Sequence, residues 1–350
     1  MKRVGILGLP QSGKSTLFEI LRLASNAQAT QQGREALCVV RVPDPRVDRL
    51  STLYQPKKTT HTQIQFVDTV AAGQTSARAA AKGPDLFAGV RNCDALVAVV
   101  REFENPAVPS PGGVDPVRDL RALETELVLN DLAIVESRLE KVEKELRVGK
   151  KQGEPEKKLL LRCKEMLEAE QPLRAGSFSP EEEKTLRGFQ LLTLKPLVAV
   201  YNQDDRPGRP GPAATPGTVA LALQANLERE IVSLPAEERP AFRAEMGIEE
   251  DGLSVVIRAC YASLGLISFF TVGPDEVRSW TVRSGDTAVD AAGEIHTDLA
   301  KGFIRAEVIG YEKLIEVGGH AGARDKGWLR LEGREYRVQD GDTMEIRFNK

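Results

Sequence analysis

The residues with the most specific chemistry lie near the N-terminus, in the stretch Gly8-Leu9-Pro10-Gln11-Ser12-Gly13-Lys14-Ser15. Its spacing, G-x-x-x-x-G-K-[ST], is that of a phosphate-binding loop, in which glycines let backbone N–H groups face a phosphate at the start of a helix. An accidental match at an ordinary strand-to-helix turn is the alternative, and the completeness of the pattern argues against it. The residues predicted to contact phosphate are Gly8, Pro10, Gln11, Ser12, Gly13, Lys14, Ser15 and Thr16.

Three residues are expected to act on the charges of a bound nucleotide and its metal ion: Lys14, Ser15 and Asp68. Lys14 is expected to reach the β- and γ-phosphates, and the Ser15 hydroxyl to ligate Mg²⁺. Asp68 follows the apolar run Gln63-Ile64-Gln65-Phe66-Val67, and a carboxylate at the end of a strand can hold the water shell of Mg²⁺. A helix-capping Asp is the alternative. The sequence therefore predicts Mg²⁺ as a cofactor, held by Ser15 and Asp68.

A second candidate site follows the apolar run Leu197-Val198-Ala199-Val200-Tyr201. There Asn202-Gln203-Asp204-Asp205 has the N-x-x-D spacing of a purine-base reader. The Asp205 carboxylate could accept two hydrogen bonds from guanine, while Asn202 braces neighbouring loops. A solvated turn is the alternative. We predict Asn202 and Asp205 as base-binding residues, with GTP/GDP or ATP/ADP as the ligand.

The elements that carry these residues indicate an α/β fold. The helix after Lys14 has an apolar face, and the runs Ala95–Val100 and 197–201 are continuously apolar. Such runs are typical of strands covered on both faces, hence of a mostly parallel sheet with flanking helices.

A long charged segment interrupts this pattern between Val117 and about Leu192. Apolar residues repeat there with 3-4 spacing on both sides of a turn near Gly149–Pro155, which predicts an antiparallel helical hairpin. The repeating residues are Leu132, Val135, Leu139, Val142 and Leu146, then Leu160, Cys163 and Leu167. Its charges indicate a solvated helix face, and a partner-binding arm is the alternative.

From Ile267 onward the period changes to short strands separated by turns at Gly285-Asp286 and Gly341-Asp342, which predicts a compact α+β module. The predicted strands are 267–271, 277–282, 336–338 and 344–348, and one helix is predicted over 288–299. The predicted domains are 1–128 (first part of the nucleotide domain), 129–188 (helical insertion), 189–266 (second part) and 267–350 (C-terminal domain).

The composition is that of a globular protein, with 350 residues, a net charge of −3 and scattered cysteines. The small net charge gives no global attraction to nucleic acid or membrane. We find no signal-peptide core and no apolar run near 18 residues, and therefore expect a cytoplasmic protein without a membrane span.

Four further motifs, in this order along the chain, resemble the YchF-type branch of the Obg-related GTPases. They are Val42-Pro43-Asp44-Pro45-Arg46, Val114-Asp115-Pro116-Val117-Arg118-Asp119, Gly293–Asp298 with Lys301–Glu307, and Leu331–Gly333 with Gln339–Asp342. The resemblance implies a P-loop NTPase G domain, an inserted coiled-coil hairpin and a C-terminal TGS domain of the ubiquitin-like β-grasp fold. It also implies slow, Mg²⁺-dependent hydrolysis of GTP or ATP, and binding to the ribosome or RNA. We expect a monomer.

The resemblance adds base-binding residues and also shows departures. Gln224 and Ala225 stand where the family places its second base-contacting loop, with the Ala225 N–H available to a purine O6. Asp205 stands where the family commonly has Glu. Because Asp is the guanine-reading residue of ordinary GTPases, this difference favours GTP. The threonine of switch I has no counterpart in Gln32–Ala36, and switch II reads Asp68-Thr69-Val70-Ala71 in place of D-x-x-G.

Two functions therefore remain open from the sequence. The first is an NTPase regulated by the ribosome or RNA, with no residue assigned as acid or base. The second is a nucleotide-bound module that does not switch and that docks RNA or protein through the TGS domain and the hairpin. Basic side chains of the C-terminal domain could form the RNA-binding face, or could be scattered surface charges: Arg278, Arg283, Lys301, Arg305, Arg330, Arg334 and Arg337.

Overall fold

The computed structural model describes residues 1–25, 30–32, 35–68, 87–110, 112–148, 153–204 and 217–349. The strands are β1 Lys2–Leu7, β2 Thr30–Gln32, β3 Glu35–Arg41, β4 Lys58–Thr60, β5 Gln63–Asp68, β6 Ala95–Glu102, β7 Leu197–Gln203, β8 Thr218–Leu223, β9 Leu266–Val272, β10 Glu276–Arg283, β11 Phe303–Gly310, β12 Arg330–Glu332 and β13 Asp342–Phe348. The helices are α1 Lys14–Ala24, α2 Pro45–Tyr54, α3 Pro116–Arg147, α4 Glu154–Glu168, α5 Pro180–Arg187, α6 Ala225–Ser233, α7 Arg239–Glu245, α8 Gly252–Ser263, α9 Ala288–Ile295, α10 Thr297–Lys301, α11 Tyr311–Glu316 and α12 His320–Asp325.

The chain divides into two compact units. Unit 1 comprises Met1–Val40 and Gln65–Cys260, and unit 2 comprises Arg41–Ile64 and Tyr261–Lys350. The predicted boundaries place residues 41–64 in the first part of the nucleotide domain, whereas the structure groups them with the C-terminal residues. The physical reason is apolar packing, because Val47 and Leu50 of α2 share a buried cluster with Phe270 of β9.

Unit 1 is built on a sheet with the strand order β2-β3-β5-β1-β6-β7-β8. β1 pairs in parallel with β6, β6 with β7, and β7 with β8. Every residue of β6 and β7 is buried, as expected for strands covered on both faces. The prediction of an α/β fold with a mostly parallel sheet is therefore confirmed. Strand β8 was not predicted.

Helix α3 connects the sheet to the predicted hairpin. The Asp115 side chain caps its N-terminus by accepting a hydrogen bond from the Arg118 N–H. Its first turns pack on the sheet through Leu120, Leu123 and Leu127. The rest of α3 packs against α4 in a separate apolar cluster that contains the residues of the predicted 3-4 pattern. The hairpin is thus confirmed, and its first helix begins at Pro116, before the predicted insertion boundary at residue 129.

Unit 2 forms a mixed sheet in the order β12-β11-β13-β9-β10-β4. β9 and β10 are antiparallel, and β13 runs parallel to β9. Helix α9 packs on one face of this sheet, and α2 packs on the other with α11 and α12. This arrangement is the β-grasp that the resemblance implies.

Two local predictions in unit 2 are wrong. Residues 336–338 form no strand, because only Arg337 makes a bridge, to Thr287. The helix predicted over 288–299 is two helices, α9 and α10, separated at His296, whose Nδ1 accepts a hydrogen bond from the Asp298 N–H (3.1 Å).

In the described part of the chain, none of the helices has both the length and the apolar content needed to cross a bilayer.

Candidate functional site

Backbone conformation and lack of space both require glycine at two positions of the predicted phosphate-binding loop. Gly8 has φ +153°, and a Cβ there would lie 2.4 Å from the carbonyl oxygen of Val99. Gly13 has φ +100°, and a Cβ there would lie 2.2 Å from Asn202 Nδ2. Any other residue at either position would force neighbouring backbone or a buried amide to move. The two motif glycines therefore meet a physical requirement of this loop.

The loop surrounds the Lys14 ammonium group. Lys14 Nζ donates hydrogen bonds to the carbonyl oxygens of Gly8 (2.8 Å) and Leu9 (2.7 Å). Burial lowers the pKa of Lys14, and the negative charge of Asp68 partly opposes that decrease. Asp68 ends β5 and is only 7% exposed. The structure thus brings together two predicted site residues that are far apart in the sequence.

The side chains predicted to hold a metal offer oxygen donors only. Ser15 is exposed and Thr16 is half-buried in the first turn of α1, immediately after Lys14. A hydroxyl and a carboxylate suit a hard cation such as Mg²⁺. Among the described residues there is no cluster of three or more His, Cys, Asp or Glu side chains that could hold a metal. This donor set fits a cation that takes its other ligands from phosphate oxygens and water.

Asn202 ties the phosphate loop to the start of α6. Its Nδ2 donates to the carbonyl oxygen of Ser12 (3.1 Å), and its Oδ1 accepts a hydrogen bond from the Ala225 N–H (3.2 Å). The side chain is buried at the end of β7. These two bonds support the predicted bracing role of Asn202. Because the Ala225 N–H already has Asn202 as an acceptor, its predicted contact with a purine O6 would compete with that bond.

The neighbouring residues complete the loop beyond β7. Gln224 Nε2 donates to the carbonyl oxygen of Asp204 (3.2 Å), which links the two segments that were predicted to contact the base. Gln203 is buried and donates from Nε2 to Glu102 Oε2 (2.9 Å), so its side chain is held between β6 and β7. Asp205 lies outside the described residues.

Comparison with known proteins gives full-length matches. The chain is 38% identical to the ribosome-binding ATPase YchF of Bacillus subtilis (strain 168), over 99% of this chain and 98% of that protein. It is 39% identical to the ribosome-binding ATPase YchF of Haemophilus influenzae, over 99% of both chains. The chain belongs to the YchF family.

Structural comparison agrees with this assignment. The YchF GTPase of Schizosaccharomyces pombe matches with a TM-score of 0.83 and 29% identity, over 99% of this chain and 97% of that chain. Residues 266–349 match the family model YchF-GTPase_C, described as a protein of unknown function (DUF933). That model therefore covers most of unit 2 and leaves out its segment 41–64.

The comparison with the YchF switches partly concerns residues that the structure does not describe. Gly33, Arg34 and residues 69–86, which include Ala71 and Gly73, lie outside the described residues. The interpretation of the altered switches therefore remains a prediction.

The basic residues predicted on the C-terminal domain of this YchF-family chain differ in their surroundings. Arg278 stacks over Trp280, with its Cζ 3.8 Å from the ring centre. Arg330 pairs with Glu332 (3.1 Å), and Arg334 donates to the carbonyl oxygen of Phe303 (3.2 Å). These three arginines thus have partners within unit 2.

Arg101 was not predicted as a site residue, although it lies near the end of β6 and lines the same cavity as the phosphate loop. The available signal was a charged residue directly after the apolar run 95–100. The sequence does not show that this side chain is buried, and burial is what makes its positive charge unusual.

Proposed function

We propose that this YchF-family chain is a P-loop NTPase that binds a purine nucleotide and slowly hydrolyses its γ-phosphate in association with the ribosome. The observation that carries the proposal is the position of the Lys14 ammonium, inside a loop that requires Gly8 and Gly13 and close to Asp68. The relatives described as ribosome-binding ATPases and as a GTPase support it.

Hydrolysis requires a new bond from a water oxygen to the γ-phosphorus and loss of the bond to the β–γ bridging oxygen. The products are a nucleoside diphosphate and inorganic phosphate. Phosphoryl transfer depends mainly on positioning and charge stabilisation, for which Lys14 and the loop N–H groups are suited. Mg²⁺ would neutralise phosphate oxygens when bound, and Ser15 and Asp68 are the residues that would hold it. We assign no side chain as general acid or base.

We infer that the base site is formed by Asn202, Asp205, Gln224 and Ala225. Asn202 and Gln224 fix the two loops that would flank a purine. The Asp205 carboxylate favours guanine, because it can accept hydrogen bonds from N1 and N2. The relatives include both ATPases and a GTPase, so the preferred base must be measured.

Phosphate release tests the catalytic part of the proposal. Purified protein is incubated with Mg²⁺ and either ATP or GTP, and inorganic phosphate is measured against Lys14→Ala. We expect the wild-type protein to release more phosphate than Lys14→Ala from at least one of the two nucleotides. Nucleotide binding without such release would favour the module that does not switch.

We propose the ribosome or its RNA as partner of a cytoplasmic monomer, with the α3–α4 hairpin and unit 2 as contacting surfaces. Lys141, Lys144 and Lys158 are exposed on the hairpin and could contact RNA phosphates. Co-sedimentation with ribosomes tests this proposal, and bound protein should decrease as salt rises. Replacing these three lysines with glutamate should reduce binding. Equal sedimentation of both proteins would remove the hairpin from the proposed interface.

A further inference from the structure

A cavity of about 360 Å³ lies beside the phosphate loop. One wall is the loop itself, residues 9–12. The end of β6, residues 99–101, contributes a second wall, and the first turns of α3 contribute Arg118, Asp119 and Leu123. All of these residues belong to unit 1. The cavity thus adjoins the segment that is expected to hold phosphate.

Arg101 contributes a buried positive charge to this cavity. It is 5% exposed, and it donates from Nε to the carbonyl oxygen of Phe103 (3.1 Å) and from Nη2 to that of Val108 (2.7 Å). Both acceptors are neutral, and within the described ranges no carboxylate forms an ion pair with Arg101. The other arginine of the cavity, Arg118, is by contrast paired with Asp119 (2.8 Å).

The physical cost of this arrangement points to an anion. A buried charge is unfavourable unless an opposite charge compensates it. Arg101 Nη1 has no acceptor in the described part of the chain, so it is the nitrogen that remains for a ligand. Guanidinium groups bind phosphate oxygens well because their N–H donors form a rigid planar fork.

Ser12 adds a second polar group to the same cavity. It is 2% exposed, and its hydroxyl has no hydrogen-bond partner among the described residues. An unpaired buried hydroxyl also costs free energy. A guanidinium without a carboxylate partner, from β6, and an unpaired hydroxyl, from the phosphate loop, therefore border one cavity.

We propose that this cavity is a subsite for a phosphate anion, with Arg101 as its cationic ligand. The anion is the third phosphate of the bound nucleotide or the inorganic phosphate that hydrolysis produces. This inference rests on the proposed nucleotide-binding function. When the subsite holds the third phosphate, Arg101 lets the chain distinguish a triphosphate from a diphosphate, and this distinction does not depend on the switch residues.

The test compares wild-type protein with Arg101→Gln and Arg101→Lys. Calorimetric titrations use a diphosphate and a non-hydrolysable triphosphate of the base that binds. Arg101→Gln should weaken triphosphate binding about tenfold or more, the effect of losing one charge-assisted hydrogen bond, and should change diphosphate binding by less than about twofold. Arg101→Lys, which keeps the charge, should recover part of the loss.

A second titration adds inorganic phosphate to the diphosphate complex and identifies the source of the anion. Phosphate binding that Arg101→Gln weakens indicates a site for the released product, and an effect on the triphosphate alone indicates a site for the third phosphate only. Because this arm also uses wild-type protein, it remains informative if Arg101→Gln does not fold. In that case, triphosphate or phosphate binding that Arg101→Lys weakens supports the subsite, and unchanged binding of both ligands by Arg101→Lys overturns it.

Arg239→Gln is the matched control. Arg239 also donates to two backbone carbonyls, of Leu234 (3.0 Å) and Val232 (2.7 Å), but does not line the cavity. It should leave both nucleotide affinities unchanged. Equal weakening of diphosphate and triphosphate by Arg101→Gln, or no weakening of either triphosphate or inorganic phosphate binding, would overturn the inference. Failure of wild-type protein to bind any nucleotide would instead refute the proposed function.

Discussion

At the scale of single residues, Asn202 connects the phosphate loop to the start of α6, where we propose the base site, through one buried amide. Replacing Asn202 with alanine would leave the Ser12 carbonyl and the Ala225 N–H without their partner, at a cost of about 1–3 kcal/mol. We expect Asn202→Ala to weaken diphosphate and triphosphate binding by the same factor, because both ligands use the braced loops. Calorimetric titration with both nucleotides measures this effect.

Asn92→Ala provides the control for that variant. Asn92 is exposed before β6 and accepts a hydrogen bond from Gln190 (2.8 Å). It should leave both affinities unchanged. Selective loss of triphosphate binding in Asn202→Ala would contradict the bracing role.

Glu228 is a second residue with a measurable consequence, in this case for stability. Its Oε1 accepts a hydrogen bond from the Gly252 N–H (2.7 Å), and Asp251 and Arg243 lie beside it. Burial, with the nearby Asp251 charge, raises the pKa of Glu228 to about 7 from its usual 4.5. Between these pH values the folded protein keeps a proton that the unfolded chain has released.

The stability contribution of Glu228 is therefore fully present below its unfolded pKa and is lost as the pH rises through its folded pKa. In the wild type, the unfolding free energy should therefore fall as the pH rises from about 5 to about 7. Glu228→Gln should abolish the part of this fall that Glu228 causes, up to about 3 kcal/mol. Urea denaturation across this range measures the slope. Glu230→Gln, on the exposed side of α6, should keep the wild-type slope. An unchanged slope in Glu228→Gln would show that Glu228 does not cause it.

At the scale of elements, α3 links the cavity to the hairpin. Its 32 residues span about 48 Å. Its first turns line the cavity, and at its middle Asp131 accepts hydrogen bonds from the backbone N–H groups of Leu192 (2.9 Å) and Thr193 (2.7 Å), just before β7. The Thr193 hydroxyl adds a third bond (2.7 Å). Asp131 therefore fixes the base of the hairpin to the sheet.

Asp131→Ala should leave these three buried donors without an acceptor. We expect it to lower the free energy of unfolding by about 2–4 kcal/mol. Chemical denaturation measures the loss. Glu136 lies on α3 like Asp131, and it forms an exposed ion pair with Lys164 of α4. Glu136→Ala removes this ion pair and should cost less than about 1 kcal/mol. Similar losses of unfolding free energy in both variants would contradict the proposal that Asp131 fixes the base of the hairpin to the sheet.

The elements that the sequence predicted well are those with a strong local pattern. The phosphate loop, β6, β7 and the 3-4 spacing of the hairpin each fall within one continuous stretch. β8 was missed because it is short and only partly buried, and β11 because charged residues interrupt its apolar pattern. The contacts of Asn202 with Ser12 and Ala225, and the burial of Arg101, depend on distant segments meeting, which spacing alone does not encode.

At the scale of the whole molecule, unit 2 is assembled from two separated parts of the chain. Leu50 of α2 is fully buried in a cluster with Phe270, Val277 and Leu314. Arg46 adds an ion pair with Asp340 (2.8 Å). The C-terminal residues therefore depend on a segment that lies between two strands of the nucleotide unit, β3 and β5.

Leu50→Ala should destabilise unit 2 by about 2–5 kcal/mol through the cavity it creates. We expect faster hydrogen exchange across residues 266–349, measured by mass spectrometry on the full chain. Leu53→Ala, at a side chain that is 36% exposed on the same helix, should have little effect. Faster exchange confined to residues 41–64 would argue against a shared core.

Purine-nucleotide binding through Lys14 is tested by a titration of ATP, GTP, ADP and GDP, with and without Mg²⁺, against wild-type protein and Lys14→Ala. We predict that the wild type binds the diphosphate and triphosphate of at least one purine saturably and that Mg²⁺ strengthens triphosphate binding. We expect Lys14→Ala to lose about tenfold or more in affinity. Absence of binding by folded wild-type protein, or equal binding by Lys14→Ala, would contradict this prediction.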